Sequence, residues 1–364
     1  MKVLVLIEQS APSRYWEAAV PLLAKKGVEV SFVTLRPPGP LSEIIAEKGI
    51  PVHALGAVSS LRYPIASFRL AALIRHGRYN IVHASESICA AISGVSRFIS
   101  PGPVRLFHRH HNACPQKSRV FYDLANRLSD RTMTCSAFTK AFAVREDGVP
   151  EEKIRVAYNG ITPLRHVEPA EIEGIRDRLG IPANAKVISI VGRLSEEKGH
   201  LNLISAARLA ANRLSMPLHV VITGDGNYEP QIRRASQLAD NVSVHFAGRQ
   251  EDVAPWFAVG DVIAMPSYTE AFGISAVEAM CSGRPLVASG VGGLLEVVED
   301  GVSGLLVPPE DPGSLSEAML SVLNSVDFSR SLAEAGRKRV NDHFTMEKMV
   351  DGWIDCYNWA LAKG

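Results

Sequence analysis

Short apolar runs alternate with stretches of helical period from one end of this chain to the other. Residues 3–7, 28–34, 81–84, 104–107 and 131–135 read as strands in the first half, and 187–191, 218–223, 242–246, 262–265 and 286–289 in the second. Helical patterns separate most of them, so each half predicts a parallel sheet covered by helices on both faces, an α/β class. The stretch 161–174, with two prolines and no clear period, breaks the rhythm and reads as a linker. The expected organisation is a Rossmann-like domain over 1–165 and a second over 174–345. A closing helix over 346–364, apolar and aromatic at helical spacing, is expected to pack back on the first domain. Two doubly wound domains facing across a cleft would place a ligand site in that cleft.

The chain's 364 residues are 46% hydrophobic and 21% charged, which suits two globular cores and argues against disorder. Five scattered cysteines, Cys89, Cys114, Cys135, Cys281 and Cys356, form no CxxC pair, so buried thiols in a reducing compartment are expected rather than a disulfide frame or zinc site. The apolar run at the amino terminus is too short for a signal peptide, and no run would span a bilayer, so a cytoplasmic protein is expected. The net charge of +1 hides a split. Residues 1–165 hold 22 lysines and arginines against 12 carboxylates, and the remainder is acidic. The excess includes Arg62, Arg69, Arg75 and Arg78, set among apolar residues in LRYPIASFRLAALIRHGRYN. That segment suits a basic amphipathic helix at an anionic membrane surface, or a solvated outer face. No nucleic-acid motif accompanies the basic residues, so nucleic acid is not an expected partner.

The densest chemistry lies in PSYTEAFGISAVEAMCSGRPLV. Glu270 falls on the loop after a strand and Glu278 about one turn into the next helix, at the sheet edge where open α/β folds bind ligands. Two carboxylates near a helix start also serve simply as caps. The neighbouring loops change the balance. In VGRLSEEKGHLNLISAA, Gly192 ends a strand and Arg193 and Lys198 flank a loop that opens a helix near Gly199. Two cations and a helix amino terminus suit a diphosphate, although the spacing is not that of a Walker loop. Gly224 in ITGDG and Gly290, Gly292 and Gly293 in ASGVGG place turns at other strand ends. The latter lacks a third glycine where Leu295 stands, which disfavours a dinucleotide fingerprint. His108, His110 and His111 read as lying just past a strand, without carboxylates spaced to complete a metal site. The sequence also has no Asp-x-Asp, so Arg193, Lys198 and helix dipoles would have to neutralise phosphates without a metal cofactor.

Taken together, VAYNGI, VGRLSEEKG, ITGDG, VHFAGR, DVIAMPSYTEAFGISAVEAMCSGRPLVAS and GGLLEVVEDGVSGLLV resemble, in order, the retaining GT-B glycosyltransferases of group 1 (family four). The first half matches more loosely, in NIVHAS, TCSAFTKAFAVREDGVPEEKI and the histidine cluster. The resemblance implies a metal-independent, hexosyltransferase-like enzyme. It would move a sugar from a nucleotide-diphosphate donor to a glycan, glycolipid or lipid-linked acceptor in cell-surface polysaccharide synthesis. Arg193 and Lys198 would hold the diphosphate, Glu278 the ribose hydroxyls, and Glu270 the transferred sugar, with the backbone of Ala271, Phe272 and Gly273 helping. His111, with His110 next, would touch the sugar. Where relatives carry a Gly-Gly pair after the first strand, this chain has EQSAPSRYW, with Arg14 nearby, which bears on the acceptor side. A nucleotide-sugar epimerase of the same fold and a non-catalytic nucleotide-sugar binding protein are the competing readings.

Overall fold

A computed structural model describes residues 1–9, 11, 13–110, 119–239 and 241–362. The chain forms two compact units, one of Met1–Thr162 with Thr345–Gly364 and one of Pro163–Phe344.

The first unit carries strands β1 (Lys2–Ile7), β2 (Glu29–Thr34), β3 (Val52–Ala54), β4 (Ile81–Ser85), β5 (Val104–Arg109), β6 (Arg131–Thr134) and β7 (Ile154–Val156). Helices α1 (Arg14–Lys25), α2 (Pro40–Glu47), α3 (Tyr63–Gly77), α4 (Ser87–Ser96), α5 (Arg119–Leu128) and α6 (Ala137–Asp147) alternate with them. All strands pair in parallel in the order β3-β2-β1-β4-β5-β6-β7. Helices cover both faces, and β1 is buried from Val3 to Ile7 because neither of its sides meets water.

The second unit repeats the plan with α7 (Pro169–Arg178), β8 (Lys186–Val191), α8 (His200–Ala211), β9 (Leu218–Thr223), α9 (Glu229–Gln237), β10 (Ser243–Gly248), α10 (Ala254–Ala258), β11 (Val262–Met265), α11 (Ile274–Cys281), β12 (Leu286–Ser289), α12 (Leu294–Val297), β13 (Leu305–Val307), α13 (Pro312–Leu323) and α14 (Val326–His343). Its parallel sheet runs β10-β9-β8-β11-β12-β13. Both units are thus doubly wound, and the chain has the two-Rossmann-domain architecture of the GT-B fold.

The last helix, α15 (Met346–Ala362), belongs to the first unit. Met346, Met349, Val350, Trp353, Cys356 and Tyr357 share a core with Trp16, Leu23 and Phe32. The chain re-enters that unit beside Gly160, where a Cβ would lie 2.1 Å from the Thr345 carbonyl oxygen and would block the return.

Two sequence expectations need correction. Part of the stretch read as a linker is helical, because Pro169 takes a first-turn position where its missing N–H costs no bond and Ile175 finds a buried place. His108 is not past the strand but within β5, fully buried.

Candidate functional site

Strand order places the site of the second unit. Connections leave β8 in both directions, to β9 on one side and, later, to β11 on the other, so the loops after β8 and β11 flank the point where the sheet's winding reverses. The β8 loop begins at Gly192, passes exposed Arg193 and buried Leu194, and closes in a 3₁₀ turn, Glu196–Lys198, before α8. The β11 loop carries Glu270 to the start of α11. Lys198 Nζ and Glu270 Oε2 meet at 2.5 Å, bridging residues 72 apart in sequence, with side chains 22% and 14% exposed. At that exposure the carboxylate fixes where the ammonium stands while leaving it accessible.

The backbone holds this pair in register. Tyr268 N–H donates to the Glu197 carbonyl at 2.8 Å, tying one loop to the other. Leu194 N–H donates to Asp225 O at 2.7 Å and Tyr228 N–H to Leu194 O at 3.0 Å, which adds the loop after β9. Gly293 N–H donates to Glu270 O at 3.0 Å and adds the loop after β12. Gly199 makes the close packing possible. Its φ of 68° is left-handed, and a Cβ there would sit 1.9 Å from the Pro266 carbonyl oxygen.

The remaining sequence candidates fall around this frame. Arg193 is held by Glu197 of its own loop at 2.9 Å, and Glu197 in turn accepts from Ser195 Oγ at 2.7 Å. Glu197 was not singled out from the sequence, although its i,i+4 spacing from Arg193 is a readable signal. Glu278 lies half-buried in the middle of α11. The ring of Phe272 packs against Phe344 at 5.7 Å, and both Phe272 and Ala271 are buried. Gly293 lies against the backbone of Ala271 and Phe272, which accounts for it as packing. Gly224 packs on Gly192, its own Cβ position lying 1.9 Å from the Gly192 oxygen. Behind Lys198 the imidazole of His200 is buried, and burial with the lysine's charge lowers its pKa to about 4, so it stays neutral.

In the first unit the same winding reversal falls between β1 and β4. His110 follows β5 and its Nε2 lies 3.0 Å from Ser85 Oγ at the end of β4. Its ring lies 3.8 Å from that of His108, whose Nδ1 is 2.9 Å from His83 Nε2. His83 Nδ1 in turn lies 2.6 Å from the Tyr357 hydroxyl. Burial, with His110 beside them, lowers the His83 pKa to about 3 and that of His108 well below its usual value, so His83 and His108 are neutral. His108 is therefore part of the core. His111 lies outside the described residues. Among the described residues no three His, Cys, Asp or Glu side chains gather as metal ligands.

Comparison with known proteins agrees with this architecture. Residues 171–339 match the family described as Glycosyl transferases group 1, and residues 13–165 match Glycosyltransferase Family 4. A D-inositol 3-phosphate glycosyltransferase of Corynebacterium urealyticum is 30% identical over 352 residues, spanning 86% of this chain and 82% of the relative. Among solved structures, Anabaena HepE in complex with UDP superposes with a TM-score of 0.81 at 24% identity, over 98% of this chain and 99% of that one. The sucrose-phosphate synthase of Thermosynechococcus elongatus gives 0.77 at 22% identity over 100% of both chains. Two parallel α/β units, an ordered set of loop motifs at the winding reversal of the second, and these matches together establish that the chain belongs to the group 1 glycosyltransferases and is an enzyme of that family.

Proposed function

We propose that this enzyme transfers a hexose from a nucleotide-diphosphate sugar to a hydroxyl acceptor with retention of anomeric configuration and without a metal ion. The observation that carries the reading is the Lys198–Glu270 contact at the winding reversal of the second unit, locked by Gly199. Arg193 and Lys198, with the first N–H groups of α8, neutralise the diphosphate as it departs. Glu270 faces the transferred sugar and Glu278 the ribose hydroxyls. A preformed set of cationic donors of this kind supplies the leaving-group stabilisation that a metal gives other transferases. Same-face attack through an ion-pair-like transition state then needs little from the protein beyond holding the diphosphate.

The acceptor side belongs to the first unit, and a glycan or lipid-linked intermediate of surface polysaccharide synthesis suits it. No helix among the described residues is long and apolar enough to cross a membrane. The outer face of α3 and the turn before it nevertheless present Leu61, Ile65 and Phe68, exposed by 89%, 52% and 62%, beside exposed Arg62, Arg69 and Arg75. An apolar stripe flanked by arginines fits peripheral contact with an anionic bilayer from the cytoplasmic side. Co-sedimentation with anionic but not zwitterionic vesicles, lost in Leu61→Asp/Phe68→Asp, is the expected result, and equal sedimentation of the double variant removes the membrane reading.

The donor reading is tested by thermal unfolding with a panel of UDP-, GDP-, ADP- and dTDP-sugars, with and without EDTA. UDP-sugars head the panel because a protein of the same fold, HepE, is in complex with UDP. A donor at ~100 times its Kd adds about 2.7 kcal/mol to the native state. One EDTA-resistant shift is expected, and a shift that EDTA abolishes defeats the metal-independent mechanism.

A further inference from the structure

We propose that Glu86 is the acceptor-recognition residue of the first unit, its carboxyl receiving an acceptor hydroxyl and turning away acceptors that carry a phosphate at that position. The inference rests on the transferase reading above and names the substrate class that reading leaves open.

Glu86 directly follows β4, at the reversal of winding where open α/β sheets bind ligands. Its backbone is held at φ 62° and ψ 150°. A non-glycine residue in such a region costs of order 1–3 kcal/mol and persists only where its surroundings over-determine it. Arg78, another non-glycine residue with positive φ, adopts the ordinary left-handed helix-ending conformation, and Glu86 does not.

The strain does not serve the helix that follows. Glu86 occupies the position that caps α4, yet its side chain makes no capping hydrogen bond. The carboxyl turns instead toward the loop after β1, where Oε2 accepts the Glu8 N–H at 3.1 Å. That loop carries the sequence EQSAPSRYW.

The charges around Glu86 decide what it would accept. The nearby cation, Arg36, is committed elsewhere: it binds the Glu8 carboxylate at 2.9 Å and the Val58 carbonyl at 3.1 Å. Among the described residues no cation pairs with Glu86, while Glu8 adds a second carboxylate. Ser85, Cys89 and Tyr15 of α1 are its neighbours. Burial raises its pKa to about 7 in spite of the bond from the Glu8 N–H. A half-buried carboxyl without a counter-ion is a good acceptor for a sugar or polyol hydroxyl and a good partner for an amine. A phosphate placed against it would add like charge in a poorly solvated crevice.

The test offers the whole chain, with UDP-glucose as donor, matched acceptor probes: myo-inositol against myo-inositol 3-phosphate, and methyl glucoside against its 6-phosphate. The uncharged member of each pair is expected to be the better acceptor. Glu86→Gln, which keeps size and backbone, is expected to raise the acceptor KM roughly tenfold to 100-fold while leaving the UDP-glucose KM within about twofold. Glu86→Lys is expected to reverse the preference within each pair. A wild type that prefers the phosphorylated member, or a Glu86→Gln variant with unchanged acceptor KM, overturns the proposal. Calorimetric titration of the same pairs into the UDP-saturated protein reads the preference without turnover, so tighter binding of the phosphorylated probes also overturns it. Failure of the transferase reading shows separately, as a melting temperature that no nucleotide sugar moves.

Discussion

Replacing Gly199 by alanine perturbs the site through a single methyl group. Gly199 links the 3₁₀ turn that carries Lys198 to α8, at φ 68° and ψ 25°. The added Cβ would stand 1.9 Å from the Pro266 carbonyl oxygen, 2.8 Å from its carbon and 3.3 Å from Tyr268 Cε1. The obstacle is backbone at the end of a buried strand, which no rotamer change relieves. A left-handed conformation costs a non-glycine residue about 1–2 kcal/mol, and forcing an extra carbon into a packed place about 1–3 more. The sum, roughly 2–5 kcal/mol, lowers the melting temperature by about 4–20 °C for a unit of this size, at ~2–4 °C per kcal/mol. Relief requires the two loops to separate, which pulls Lys198 from Glu270, so the shift produced by a nucleotide sugar should vanish as well. Gly192→Ala is the control, because among the described residues no heavy atom beyond its chain neighbours lies within 4 Å of its Cβ position. Calorimetric unfolding of wild type and the two variants, with and without UDP-glucose, gives the comparison. A Gly199→Ala protein melting within about 1 °C of wild type, or a Gly192→Ala protein falling as far, refutes the argument.

Arg193→Ala removes an exposed ion pair and should change stability by no more than ~0.5 kcal/mol in denaturant titrations, while steady-state turnover falls by ~10²–10³. Glu278→Ala should raise the donor dissociation constant about tenfold or more in calorimetric binding, through the lost charged hydrogen bonds to ribose, with the acceptor KM unmoved. His83 gives a pH dependence of defined sign. Its folded pKa, about 3, lies below the unfolded value near 6.5, so between those limits the unfolded chain binds the extra proton and stability falls as pH falls. The loss approaches about 5 kcal/mol at the acid end. Glu86, raised to about 7, acts oppositely, losing stability as pH rises from about 4.5 to 7, so it blunts the upper part of the same window. His83→Gln should flatten the fall in denaturation free energy between pH 6.5 and 4, and an unchanged slope shows that His83 is not its source.

Much of the fold was legible in the pattern of apolar residues. The ten strands read from the sequence all exist, most of them because a strand buried on both faces needs a continuous apolar run that few other elements use, although the edge strand β10 is only half-buried. The strands missed, β3, β7 and β13, are three-residue strands at sheet edges, too short to show any period. His108 was misplaced by a single strand end, since HRHH gives no hint that the strand continues to Arg109 and buries the first imidazole against His83.

The site divides along the same line. Composition and local spacing pointed to Arg193, Lys198 and Glu270 on loops at strand ends and to Glu278 in the helix that follows, and the ordered motifs around them carried the family resemblance, because a loop that must turn sharply and hold charge constrains residue type within a few positions. Which of those groups meet is a different question. Lys198 reaches Glu270 because β8 and β11 are neighbours in the sheet though distant in the chain, and strand order comes from the packing of whole helices and strands rather than from any local pattern. Glu86 carries no sequence signal at all, since its strained backbone, its unused capping position and its uncompensated carboxyl arise only when the loops after β1 and β4 are brought side by side.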